Sequence, residues 1–135
     1  MLAELFDIAE QNDIIIAEMS LAERQGMSVM DADGDCIIGI DSDSIDTIAE
    51  HNTVLAHEIG HCMTGSFYNR YSALDVRTKH EYRADKWAIH KLIPREDMQK
   101  AFMDGIVQVW ELAEYFNVTE ELIKKALWIY FDKAF

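Results

Sequence analysis

Two histidines four residues apart, with a glutamate behind the first, are the residues of this chain best placed to do chemistry: His57-Glu58-Ile59-Gly60-His61. On a helix, positions i and i+4 share a face, so both imidazoles can close on one metal ion, and neutral imidazole suits zinc. Zinc lowers the pKa of a water it holds to ~7. Glu58 can take that water's proton as it attacks a peptide carbonyl. A shuffled chain of this composition yields such a pentapeptide in roughly 1–2% of cases, so a third ligand has to be found before the motif carries weight.

A histidine six residues after the second one would complete one known set, with glycine midway; Thr64 and Phe67 occupy those positions and close that route. The other common route is a glutamate from the following helix, giving two histidines, one carboxylate and an open position. Glu81 lies twenty residues past His61, in Glu81-Tyr-Arg-Ala-Asp85. Asp85, four residues further along the same face, can hydrogen-bond a ligand histidine. Ala84 is small enough to let the two helices approach closely. A donor for the transition state has three candidates, His51, Tyr68 and Tyr71, and the residues alone do not choose among them. His80 points about 100° around the helix from Glu81, away from a ligand position. Cys62 faces another side of the motif helix, and Trp87, Trp110 and Trp128 sit at apolar helical positions; all four are expected in the core.

The elements that must position these groups follow from periodicity. Leu2, Leu5, Phe6 and Ala9 mark a short amphipathic helix that breaks at Asn12-Asp13. Ile14-Ile15-Ile16 is β-branched and reads as a strand. Met27 to Asp31 and Cys36 to Ile40 flank Asp33-Gly34, a hairpin signal. The acids of that tip fail as a calcium loop, because Cys36 and Ser42 stand at the sixth and twelfth positions. From Ser44 the pattern is helical through His61 towards Gly65. Phe67 to Val76 reads as a loop or weak helix, Thr78 to Ile93 as a helix stopped by Pro94, and Pro94 to Met103 as another. Val107 to Phe116 and Thr119 to Phe131 complete the set, the last with a threonine cap and an acidic first turn.

At 135 residues, 50% of them hydrophobic and 27% charged, the chain suits one compact domain, and neither disorder nor a coiled coil. It has no run approaching the ~20 apolar residues of a membrane span and no basic start of a secretory signal. Two cysteines exclude a disulfide scaffold, and reduced thiols in a cytoplasmic protein are expected. Residues 1–50 hold thirteen acids and only Arg24, and so carry −12 of a net charge of −13. Such a lobe attracts basic partners or simply keeps the protein soluble.

The order of these blocks resembles the ImmA/IrrE family of metallopeptidases. The resemblance rests on Thr53-Val-Leu-Ala-His57, on His57 to His61, on Glu81-Tyr-Arg-Ala-Asp85-Lys-Trp-Ala-Ile-His-Lys-Leu-Ile-Pro94, and on Leu112-Ala-Glu-Tyr-Phe-Asn-Val-Thr119-Glu-Glu-Leu-Ile123. It extends from Leu5 to about Tyr130. Arg83 stands where relatives often carry an acid, and the chain lacks the larger C-terminal extension of some relatives, so no separate sensory domain is expected. The resemblance implies a zincin-like α+β domain over residues 1–135. A small N-terminal sheet would pack on the zinc helix, with a helical C-terminal part from about 94 to 135. It also implies zinc held by His57, His61 and Glu81, with Glu58 as base and Asp85 behind a ligand. The activity implied is site-specific endopeptidase cleavage of a helix-turn-helix repressor, relieving repression of a prophage or integrative element. The alternative is a zinc-containing anti-repressor that binds the repressor without cutting it. Leu112 to Thr119 could itself pass for a helix-turn-helix, but Thr119, Glu120 and Glu121 would repel phosphate where bases must be read, against only Lys124 and Lys125. Direct nucleic-acid binding is therefore not expected, nor is a membrane.

Overall fold

The computed structural model describes residues 2–68 and 71–132. Helix α1 (Leu2–Gln11) leads into strand β1 (Ile15–Glu18), then the hairpin β2 (Gly26–Met30) and β3 (Cys36–Ile40). A 3₁₀ turn (Ser42–Ser44) precedes α2 (Ile48–Thr64), α3 (Leu74–Leu92), α4 (Arg95–Met103), α5 (Val109–Phe116) and α6 (Glu120–Phe131). The result is α+β and zincin-like: a small sheet beside the helix that carries the motif, followed by a helical remainder.

The sheet has the order β1-β3-β2. The β2/β3 hairpin is antiparallel with Val29 opposite Ile37, and its tip turns where Gly34 takes φ +87°. Asp31 Oδ1 accepts from the amides of Asp33 and Asp35, so the acids serve the turn. β1 lies parallel on the other side of β3, Ile15 opposite Ile37. β3 is thus central, with Cys36, Ile38 and Ile40 buried, while one edge of β2 is unpaired among the described residues. β2 packs against α2.

Helix α2 begins at Ile48 rather than at Ser44, because Thr47 caps it by accepting the Glu50 amide at 3.1 Å. It ends at Gly65, left-handed at φ +64°. Leu55, Ala56 and Ile59 are fully buried against the sheet and α3. Helix α3 starts four residues earlier than the pattern indicates. Its first turn carries Leu74 and Val76 outward, so no apolar stripe announces it. The α5/α6 turn at Asn117 is pinned to α2: Asn52 Nδ2 donates to the Asn117 carbonyl at 3.0 Å, and the Thr119 amide donates to Thr53 Oγ1 at 3.1 Å. The start of α6 therefore packs on the motif helix as half of a helical hairpin.

Two expectations are corrected. Cys36 and Cys62 are joined as a disulfide between β3 and α2, with Cα atoms 5.9 Å apart. The fold brings together residues 26 apart in sequence, which the spacing alone does not reveal, and the cysteines no longer argue for a reducing compartment. Of the three tryptophans, only Trp87 packs on the core; Trp110 and Trp128 are each 55% exposed. No helix among the described residues is long and apolar enough to cross a membrane.

Helices α2 and α3 approach closely at Gly60, where an added Cβ would lie 2.6 Å from the Ala84 carbonyl oxygen. Backbone cannot yield there as a flexible side chain would. Gly60→Ala is expected to destabilise the fold by about 1–3 kcal/mol, as overpacking does, and to weaken metal retention by pushing α3 away. Urea unfolding with and without added zinc tests both effects.

Candidate metal centre

His57 and His61 project from one face of α2, and Glu81 meets them from α3. Their Nε2 atoms lie 3.1 Å apart, and Glu81 places Oε2 at 2.9 Å from His57 Nε2 and Oε1 at 2.9 Å from His61 Nε2. The opposite ring nitrogens fix what these atoms are. His61 Nδ1 lies 2.5 Å from the Ser66 carbonyl, which can only accept, so this nitrogen carries the proton. His57 Nδ1 lies 2.7 Å from Asp85 Oδ1, a carboxylate, and donates likewise. In the neutral rings both Nε2 lone pairs then point at each other and at a carboxylate. Acceptors converging within hydrogen-bonding distance need a proton or a metal ion among them. Their spacing approaches the roughly 3.3 Å between ligand atoms that bonds of 2.0–2.1 Å impose on a tetrahedral site. The residues fit a metal ion, and the set is one that could hold it.

Electrostatics agree. Burial opposes a charge on His57, but hydrogen bonds to Asp85 and Glu81 overcome it and raise the imidazole to about 10. Burial would raise Glu81, yet the two histidines hold it below the usual carboxylate range. Asp85 is also held low in spite of burial, by His57 and by Lys125, whose Nζ donates to Oδ2 at 2.9 Å. Glu58 is different. It is 8% exposed and ligates nothing; burial pushes its pKa up, with His57 and His61 opposing. Ser28 on β2 also opposes the rise.

A cleft of about 540 Å³ opens over these groups between β2 and the loop after α2. Gly26 to Val29 form one wall, and Phe67, Tyr68 and Arg77 another. A second arm of about 310 Å³ passes His57 and Glu58 towards Thr53, Thr119 and Leu122. Of the three proposed donors, Tyr68 is the one in this cleft: it donates to Glu81 and stacks on His80 with ring centres 6.2 Å apart. His51 lies beside Glu18 and lines neither arm. Tyr71 is 80% exposed and also lines neither.

Several contributors were not foreseen. The Ser66 carbonyl reaches His61 because the Gly65 turn folds back. Its short spacing from His61 is visible in sequence, but its direction depends on the cap. Lys125 reaches Asp85 across forty residues, for which sequence offers no sign. Arg24 lines both arms of the cleft from the β1–β2 loop, and it is the single cation of the first fifty residues.

The fold and the histidine–glutamate cluster define a zincin-like protein with a candidate metal centre. A family model described as the IrrE N-terminal-like domain, Peptidase_M78, matches residues 9–127, and the chain belongs to that metallopeptidase-type family. No curated protein and no solved structure matches it.

Glu81→Ala leaves two protein ligands and should abolish tight metal binding, whereas Asp85→Ala should weaken it by about 10–100-fold; metal analysis of the purified variants separates the two. Protons compete for the same site. With its pKa raised to about 10, His57 binds a proton across neutral pH in chelator-treated protein and must lose it when a metal binds. Affinity should therefore rise about tenfold per pH unit through neutrality and flatten above about pH 10. Calorimetry in buffers of different ionisation enthalpy should show about one proton released per ion bound.

Proposed function

We propose that the chain is a zinc-dependent endopeptidase that cuts a helix-turn-helix repressor at a specific site and so relieves repression of a prophage or integrative element. The observation that carries this reading is Glu58. A buried carboxyl is kept off the ligand set, with its proton affinity raised, at the point where both arms of the cleft meet the cluster. A group used only to build a structural metal site would have no reason to face an open cleft.

The chain's own residues divide the work. His57, His61 and Glu81 would hold the ion, and Asp85 and the Ser66 carbonyl orient the two rings. Zinc there would supply Lewis acidity to a water and to the scissile carbonyl. The unpaired edge of β2 can receive the substrate as an added strand, through main-chain hydrogen bonds. Glu58 takes the proton of the attacking water and passes it to the leaving amine. Tyr68 offers its hydroxyl to the carbonyl oxygen as charge develops there. The acidic first fifty residues suit a basic, DNA-binding partner.

Co-expression with the repressor encoded beside it, scored for a discrete fragment, tests the reading. Glu58→Gln should keep zinc and fold while the fragment disappears, a loss of at least about 100-fold in rate. Fragment formation at the wild-type rate would remove Glu58 from the mechanism. Relief of repression with no fragment at all would favour an anti-repressor that binds without cutting. Repressor association should slow as salt rises, because the attraction is screened within ~8 Å at physiological ionic strength. Changing several of Asp31, Asp33, Asp35, Asp41 and Asp43 to Asn should remove that dependence, which stopped-flow mixing can read.

A further inference from the structure

Helices α3 and α6 leave between them a groove of about 640 Å³ that opens into the metal centre. Residues three and four apart line it on both sides: Leu74, Thr78 and Tyr82 along α3, Lys124 and Trp128 along α6. Its floor is apolar, yet Leu74 is 71%, Trp128 55% and Tyr82 50% exposed. Large aromatic and aliphatic side chains gathered in one exposed groove, rimmed by charge, mark a binding surface more than a solvated one. The groove shares Tyr68, Arg77 and Glu81 with one arm of the cleft and Asp85 and Lys125 with the other, so whatever lies in the cleft passes its mouth.

The charges around it are not equivalent. Glu81 is taken up by His57 and His61, and Asp85 by His57 and Lys125. Lys125 is in turn held by Asp85 and, at 3.6 Å, by Glu121. Two cations are in no ion pair among the described residues. Lys124 is in no ion pair among the described residues, and Arg77 has a buried Nε with no hydrogen-bond partner. On a chain of net charge −13, this apolar groove beside the metal centre is therefore edged by positive charge that no ion pair takes up among the described residues.

We propose that this groove selects the substrate, and that the segment it takes is a bulky apolar side chain with an acidic neighbour, the first resting on Trp128 and Tyr82 and the second meeting Lys124 and Arg77. The inference rests on the peptidase reading for what enters the cleft. It assigns the acidic lobe and the groove to different parts of one partner: the lobe attracts the basic domain, and the groove reads the residues near the bond to be cut.

Binding can be measured without cleavage. Zinc-loaded Glu58→Gln protein, full length, is titrated into fluorescein-labelled twelve-residue peptides that differ only in a central pair: Phe-Asp, Phe-Lys or Gly-Asp. Phe-Asp should bind about tenfold tighter than Gly-Asp, as an aromatic anchor does, and two- to fivefold tighter than Phe-Lys, as a partly exposed ion pair allows. Trp128→Ala should erase the first difference, and Lys124→Glu should reverse the second. Both side chains are exposed, so both variants should fold, which circular dichroism and zinc content confirm. Equal binding of the three peptides, or preferences unmoved by either substitution, overturns the proposal. So would dimerisation seen by sedimentation and abolished by Trp128→Ala, since the groove would then belong to a second copy. Repressor cleavage by the wild type is read separately. A protein that cuts but does not discriminate keeps the peptidase reading and loses this one. A protein that discriminates but does not cut does the opposite.

Discussion

Two imidazole nitrogens and both oxygens of one carboxylate meet at about 3 Å where α2 and α3 touch, and the rest of the molecule is arranged to keep them there. Left to themselves they would repel or capture protons. Each is instead denied an alternative. The Ser66 carbonyl fixes the His61 ring, Asp85 fixes His57, and Tyr68 takes part of Glu81. A site held open against its own repulsion is preorganised for a cation, and the cost is met by the packing around it. That packing leaves no room at Gly60, between the two histidines, where an added Cβ would lie 2.6 Å from the α3 backbone. The glycine of the motif is a condition of the metal site although it touches no metal.

What could be read from the sequence divides along the same physical line. The histidine pair was legible because its geometry is internal to one helix, and the period of that helix fixes which residues share a face. Glu81 and Asp85 were legible as a pair for the same reason, and Ala84 between them announced the close approach. What needed the fold was everything joined across elements. Lys125 reaches Asp85 from α6, the disulfide bridges β3 and α2, and β1 pairs with β3 instead of with its neighbour in sequence. The tryptophans misled for a related reason. Apolar periodicity reports that a face is apolar, and that is equally true of a core and of a groove left open. Trp128 belongs to the second case.

The two halves of the chain carry different kinds of charge. The first fifty residues are acidic almost without interruption, and their acids are spent on turns and solvent, as at the Asp31 tip. In the second half acids and bases nearly balance, and the acids near the site are consumed by partners. A uniform surface would attract or repel a protein as a whole. On the proposed function, segregated charge would separate approach, which acts at long range and is screened by salt, from recognition, which acts at contact.

The α5/α6 hairpin shows how these roles are coupled. Its turn is bonded to Asn52 and Thr53 on the motif helix, one turn before His57. Its second helix supplies Lys125 to Asp85 and so holds the residue that holds His57. The exposed face of that same helix supplies Trp128 and Lys124 to the groove. A helix that holds Asp85 through Lys125 and lines the groove with Lys124 and Trp128 fixes their separation, because α6 is a rigid rod twelve residues long. Its rise of 1.5 Å per residue places Trp128 about 4.5 Å along the axis from Lys125. If the groove anchors a substrate side chain as proposed, its distance from the metal centre would be set by the helix and not by a loop. That rigidity is what would let a small protein cut at one position along a partner rather than at any exposed strand.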